Sequence, residues 1–279
     1  MEYKIMKRYR FFQAPAMAFF SPSFYKDVGL NWKGTGFAYL LLLLAICWVP
    51  TFIQFQLSVA NYVENKAPAI ISQIPPIRII KGEASADVTQ PYKIIDPDSG
   101  KVLVLIDTIG KTVSREKIES IALLTKTEAI IKKSDVETRI FSLKKIEFFV
   151  LDKQKVSSWL KMFRNYGALA LFPFFVIVSF VFRILQLLIY AVIGLLFTKI
   201  CKTKHSYQTL LRLSVMAITP VIIISTVVEI AAIKIPLQSL LYFIAAMGYL
   251  FFGVKIVSHK EKVPIKEDDN QRTQIEENQ

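Results

Sequence analysis

Arg183, Gln186 and Glu229 have the strongest claim on chemistry in this sequence, because each stands inside a long apolar run. An ionised group at membrane depth is expensive to hold. Such residues pair with one another, line a cavity or mark an ion path. If the runs carrying Arg183 and Glu229 are antiparallel neighbours, counting from their cytoplasmic ends places the two at depths of about 21 Å and 31 Å. Three readings follow. In the simplest, Glu229 lies at the outer interface beside Lys234 while Arg183 reaches lipid phosphate. The others are a structural ion pair and a transport or proton-relay site. Thr219-Pro220 interrupts the same run as Glu229, and a proline there frees one backbone hydrogen bond. A packing kink is the expected consequence, ahead of a substrate site.

Elsewhere the reactive side chains fall into weaker patterns. Ser114-Arg115-Glu116-Lys117 has the Ser-x-x-Lys spacing of some nucleophilic hydrolases, but the companion motifs are missing and a helix cap explains Ser114 better. Asp96, Asp98 and Gly100 resemble the start of a calcium loop. The acid that should close it would be Asp107, which instead falls in a strand pattern, so a turn is expected. Cys47 and Cys201 cannot combine with His205 and His259 at any standard zinc spacing. These readings point away from an enzyme, and no metal or cofactor is expected.

The elements that must position these residues are mostly apolar helices. The chain has 279 residues and is 53% hydrophobic, above the usual range for a soluble domain. The excess is concentrated in blocks at Phe37–Phe55, Tyr166–Phe197, Leu213–Ile233 and Leu237–Val257. Each reaches the roughly 20 residues that cross a hydrocarbon core. The second is too long for a simple span, and Pro173 offers a kink. The expected fold class is a polytopic α-helical membrane protein with four transmembrane helices. A small α+β extracytoplasmic domain is inserted between the first and second.

Residues 1–36 then form a basic, amphipathic cytoplasmic leader lying on the membrane surface, with Lys4, Lys7, Arg8 and Arg10 followed by phenylalanines. Ser21 before Pro22 reads as a cap opening a second short helix. Residues 37–56 are the first span, retained as an anchor because they are longer than a signal core. Residues 57–160 are the inserted domain, 161–257 the remaining spans, and 258–279 a charged cytoplasmic tail.

Charge sets the orientation and the partners. Of the net +13, residues 57–160 hold only +3, from 16 basic and 13 acidic groups. The surplus flanks the spans, where it meets anionic lipid head groups of the bilayer at the cytoplasmic face. No basic stripe with interleaved aromatics marks a nucleic-acid face. Lys199, Lys202, Lys204 and Arg212 mark one loop as cytoplasmic, as do the leader and Lys255. Both termini are therefore expected inside and residues 57–160 outside. Lys161 and Arg164 fall at the outer end of the second run and would have to snorkel.

Within the insert, Leu57–Ile71 extends the first helix up to Pro75-Pro76. Short β-branched runs at Ile77–Ile80, Tyr92–Ile95, Val102–Ile106, Glu128–Lys132, Thr138–Ser142 and Ile146–Val150 read as strands. Asp96–Gly100 reads as a hairpin turn, and Ser114–Ile121 as a helix.

Several stretches together carry a resemblance. They are Ser21–Val28, Gly34–Phe37 leading into Tyr39-Leu40, Ile74–Ile77 with Lys81-Gly82, and Gln90-Pro91-Tyr92. Ile106–Gly110 and Leu211–Ser214 leading to Thr219-Pro220 complete the set. This pattern resembles the bacterial membrane family called domain of unknown function 1189, over nearly the whole chain to about Val257. The last three spans are also similar to Yip-type membrane proteins through the helix bearing Thr219-Pro220. The resemblance implies a multi-pass protein of the bacterial inner membrane with an extracytoplasmic insert, and no mechanism.

The expected function is a non-enzymatic scaffold or binding and sensing module that meets a protein partner or ligand in the envelope. Its candidate contact residues are Pro75, Pro76, Gly82, Pro91, Tyr92, Asp107 and Gly110, which equally could only shape the domain. The alternative is a small transporter or permease accessory subunit that uses Arg183 and Glu229, with Gln186, Thr219 and Pro220 beside them.

Overall fold

The structure is a computed structural model that describes residues 9–110, 120–134 and 137–258. Candidate positions outside these, including Ser114, Lys117, most of the expected Ser114–Ile121 helix, His259 and the rest of the tail, lie outside the described residues. The chain divides into two compact units: residues 1–51 with 175–279, and residues 52–174. Among the described residues, four helical segments are long and apolar enough to cross a membrane: Phe37–Ile71, Lys153–Ile200, Tyr207–Ile230 and Gln238–Ser258.

The helical unit is organised around one central helix. Its elements are α1 (Ala14–Phe20), α2 (Pro22–Asn31), residues 37–51 of α3 (Phe37–Asn61), the second half of α5 (Lys153–Ile200), α6 (Tyr207–Ile230) and α7 (Gln238–Ser258). In α6 every residue from Thr209 to Ile222 is buried. A helix apolar on all sides belongs in the middle of a bundle, and α1, α2 and α7 pack against it. Ser206 caps α6, its hydroxyl accepting from Thr209 N at 3.2 Å.

The leader has a protein partner as well as an apolar outer side. Ala14, Ala18, Phe24, Tyr25 and Val28 are fully buried in the same core as α6, while Phe12 and Phe20 stand exposed. Its described part, residues 9–36, thus packs as a layer of the bundle. Small residues permit the fit: a Cβ on Gly29 would meet Val257, and one on Gly253 would meet Tyr25. Ser21 caps α2 as its sequence implies, accepting from Phe24 N at 3.2 Å ahead of Pro22 at the first helical position.

The second unit contains the β structure. α4 (Ala67–Ile71) follows α3 after a π-helical turn at Tyr62–Lys66. Strand β1 (Ile77–Ile80) lies between β2 (Glu83–Ala86) and β8 (Phe148–Leu151), antiparallel to both. A five-stranded sheet runs β3 (Tyr92–Ile95), β4 (Val102–Asp107), β5 (Ala122–Thr125), β6 (Glu128–Lys132), β7 (Thr138–Ser142). Its neighbours are antiparallel except β4 and β5. The unit's core is two small clusters, Ile77 with Ile94 and Ile106, and Ile79 with Ala84 and Leu143; Leu124 packs against both.

Strands β2 and β5 were not expected, and β8 begins two residues later than expected. The unit also reaches beyond residues 57–160, because the end of α3 and the start of α5 pack together inside it. Phe52 meets Phe172 edge-on at 5.2 Å, Gln56 donates to the Arg164 carbonyl, and the Arg164 guanidinium pairs with Glu64. Arg164 is thus engaged by a carboxylate. In both connecting helices an interior proline, Pro50 or Pro173, falls within two residues of the division between units.

Candidate polar cavity in the helical unit

Three helices of the helical unit each place a short polar series on one face. On α3 it is Cys47, Trp48 and Thr51; on α5, Ser179, Arg183, Gln186 and Tyr190; on α6, Ser225, Thr226 and Glu229. Spacings of three, four and seven residues keep such groups on one side of a helix. The series converge. Leu44, Cys47, Trp48 and Thr51 of α3, Ser179 and Arg183 of α5, and Ile222, Ser225, Thr226 and Glu229 of α6 line a cavity of about 90 Å3. A wider cavity of about 350 Å3 shares Trp48, Ser179 and Arg183 with it and adds Phe175, Val178, Phe182 and Gln186.

Hydrogen bonds give the smaller cavity two different sides. Arg183 Nη1 donates to Gln186 Oε1 at 2.7 Å, and Gln186 Nε2 donates to the Tyr190 hydroxyl at 2.6 Å. That arrangement anchors one edge of the guanidinium, which carries five N–H groups in all. Across the cavity the Ser225 and Thr226 hydroxyls both donate to the Ile222 carbonyl at 2.9 Å. Both hydroxyls line the same cavity as the Glu229 carboxylate, and each can still accept a hydrogen bond while donating. Glu229 also stands in the last turn of α6, where the helix carbonyls add partial negative charge.

Arg183 and Glu229 therefore share a cavity and do not touch. Among the described residues, the ion pairs do not include one between them. The structural ion pair considered from the sequence is not formed.

Thr219 and Pro220 lie elsewhere, wholly inside the α6 core. Thr219 Oγ1 donates back to Val215 O at 2.8 Å. Pro220 cannot donate to the carbonyl of Met216 four residues earlier. The Tyr25 hydroxyl stands 3.5 Å from that carbonyl, while donating to Ala18 O at 2.8 Å. Both residues are thus buried in the bundle core, and the carbonyl that Pro220 leaves without a helical donor faces Tyr25 of α2.

A second polar cluster went unnoticed in the sequence. Arg212 is buried, and its guanidinium donates to Val28 O and Gly29 O at 3.2 Å, Gly34 O at 3.1 Å and Thr209 Oγ1 at 3.1 Å. Val28 and Gly29 belong to the last turn of α2, whose carbonyls have no helical partner. Asp27 is buried nearby in the chain and accepts from Tyr9 N at 3.2 Å, Asn31 Nδ2 at 2.7 Å and Trp32 Nε1 at 3.0 Å. Charge counting treated Arg212 only as a marker of orientation. The available signal was its place in an otherwise apolar helix beside Leu211 and Leu213.

The candidates in the β unit hold turns and edges. Gly82 is buried with φ +80, and a Cβ there would stand 2.7 Å from Lys144 Cα. Asp107 is buried, and its carboxylate accepts from Gly110 N at 2.9 Å. The Tyr92 hydroxyl donates to Gln73 O at 2.9 Å. Pro75 is buried between α4 and β1, whereas Pro76 and Pro91 are exposed. Asp96 folds its own turn, accepting from Asp98 N at 3.2 Å and Ser99 Oγ at 2.6 Å; the hydroxyl of Ser99 and the turn amides hold this carboxyl below the usual range. Among the described residues no three His, Cys, Asp or Glu side chains gather closely enough to hold a metal ion.

The fold and cavity together define a protein with four membrane-length apolar helices and a β-sheet unit between the first and second. The chain belongs to the family described as "Protein of unknown function (DUF1189)", which it matches over residues 12–254. No curated protein and no solved structure matches it.

Proposed function

We propose that this is a non-enzymatic multi-pass protein of the bacterial cytoplasmic membrane that presents its β unit outside the cell membrane to an envelope partner. Both termini lie in the cytoplasm in this reading. The supporting observation is the contrast between the two edges of the five-stranded sheet. At β3 the Gln73 side chain imitates a strand: its Nε2 donates to Ile95 O and its Oε1 accepts from Ile95 N, both at 2.9 Å. At β7 all five residues are exposed, with Ile140 at 54% and Phe141 at 49%. An edge with apolar side chains in solvent suits the addition of an extended segment from a protein partner.

Site-specific photocrosslinking in intact cells tests this reading. Crosslinkers at Ile140 and Phe141 should trap a discrete adduct that one at Asp98 does not. Equal trapping at all three positions, or at none, would refute it.

A second reading is a small transporter or permease accessory subunit. It is favoured by the placing of Arg183 and Glu229 on one cavity. It expects Arg183→Ala to abolish function while loss of the β7 side chains leaves it intact.

A further inference from the structure

The polar cavity has a donor side and an acceptor side, and no direct contact between its two charges. Arg183 on α5 offers N–H groups, while Ser225, Thr226 and Glu229 on α6 offer oxygen lone pairs. A complementary ligand carries an anionic oxygen at one end and an ammonium at the other. The two ends line one small cavity of about 90 Å3, which suits a ligand that carries both charges on a short connection.

The wider cavity continues from Arg183 and Ser179 along Phe175, Val178 and Phe182. Phe175 and Phe182 are 41% and 68% exposed on a helix apolar enough to cross a membrane, a surface suited to acyl chains. We propose that the two cavities together bind one phospholipid with a primary-amine headgroup. Its phosphate meets the Arg183 guanidinium and the Ser179 hydroxyl. Its ammonium meets Glu229, Ser225 and Thr226, and its chains lie along Phe175, Val178 and Phe182. A charge-assisted contact at each end selects the ammonium over a trimethylated amine, which has no N–H to donate. This assignment is independent of the β7 reading, and its failure would leave that reading standing.

The test uses the full chain in bilayers of mixed phosphatidylethanolamine, phosphatidylcholine and phosphatidylglycerol, with retained lipid counted by native mass spectrometry. Phosphatidylethanolamine should be retained over phosphatidylcholine by about tenfold, roughly 1.4 kcal/mol. Glu229→Gln should erase that preference, and Arg183→Gln should lower retention of every phospholipid. Thr226→Val conserves volume and should weaken the preference even if an Arg183 variant does not fold. Equal retention of the two lipids, or a preference untouched by Glu229→Gln and Thr226→Val, overturns the proposal. So does displacement of the retained lipid by free phosphoethanolamine, which would make the ligand a soluble amine phosphate.

Discussion

Arg212 Nε donates to the Val28 carbonyl at 3.2 Å, joining α6 to the last turn of α2 across 184 residues of sequence. The same guanidinium reaches Gly29 O and Gly34 O. It therefore closes a helix end whose carbonyls would otherwise be buried without partners, and it does so at the pole where positive charge is favoured.

Replacing Arg212 should release α2 from the bundle. We expect Arg212→Gln to cost about 2–4 kcal/mol, since several buried acceptors lose their donor at once. Arg212→Lys should rescue little, because an ammonium lacks the planar fork. Hydrogen exchange would show the loss as faster exchange at Pro22–Asn31 ahead of α7. Unchanged protection of α2 in Arg212→Gln would show that packing alone holds it.

Gly82 should not tolerate a side chain. Lys81 and Gly82 form the two-residue turn between β1 and β2 with φ values of 50 and 80, the geometry that a tight hairpin demands. Gly82→Ala adds strain and drives a Cβ onto the Lys144 backbone, for an expected loss of about 1–3 kcal/mol. Gly100→Ala, also at positive φ but with nothing within 4 Å, should cost less. Equal melting temperatures for the two variants would contradict this account of Gly82.

His205 should respond to mild acid. Burial holds its imidazole below the ordinary value of 6.5, partly opposed by a backbone hydrogen bond at Val254. Its Nε2 stands 3.3 Å from Ser258 Oγ. Between pH 6.5 and the lower folded value, the unfolded chain takes up a proton that the folded chain refuses. Stability from this group is thus full above pH 6.5 and falls as pH drops through that window. An NMR titration, with His205→Gln assigning the signal, should place its midpoint below 6.5. A midpoint above 6.5 would reverse the sign.

The proposed orientation makes a labelling prediction. With Cys47 and Cys201 replaced by serine, Asp98→Cys should react with an impermeant thiol reagent in cells whose outer barrier is open. Lys202→Cys should react only after the cytoplasmic membrane is breached. Asp98 and Lys202 are both exposed, so a silent position would report sidedness. The opposite pattern would invert the protein.

How much was legible in the sequence differs between the two units. The apolar blocks mark the helices, because a continuous run of that length has few other uses. The turn at Asp96–Gly100 was also legible, since Asp and Gly there make a local structure that needs no distant partner. Strand β2 was not. Glu83-Ala84-Ser85-Ala86 has little intrinsic strand preference and becomes a strand through pairing with Ile77–Ile80. Strand β5 likewise exists through its parallel register against β4, which local pattern does not encode.

By itself the sequence determined the helical segments, their order, the position of the insert and the polar residues carried on each helix. Those follow from local hydropathy and helical spacing, which depend only on neighbours along the chain. Tertiary structure decided which of these residues meet. It set Arg212 on the end of α2, brought Tyr25 toward the carbonyl that Pro220 leaves free, and placed Arg183 and Glu229 on one cavity without pairing them. Such meetings depend on helix rotation and close approach through residues such as Gly29 and Gly253. A few degrees of rotation change the partner while the sequence pattern stays the same.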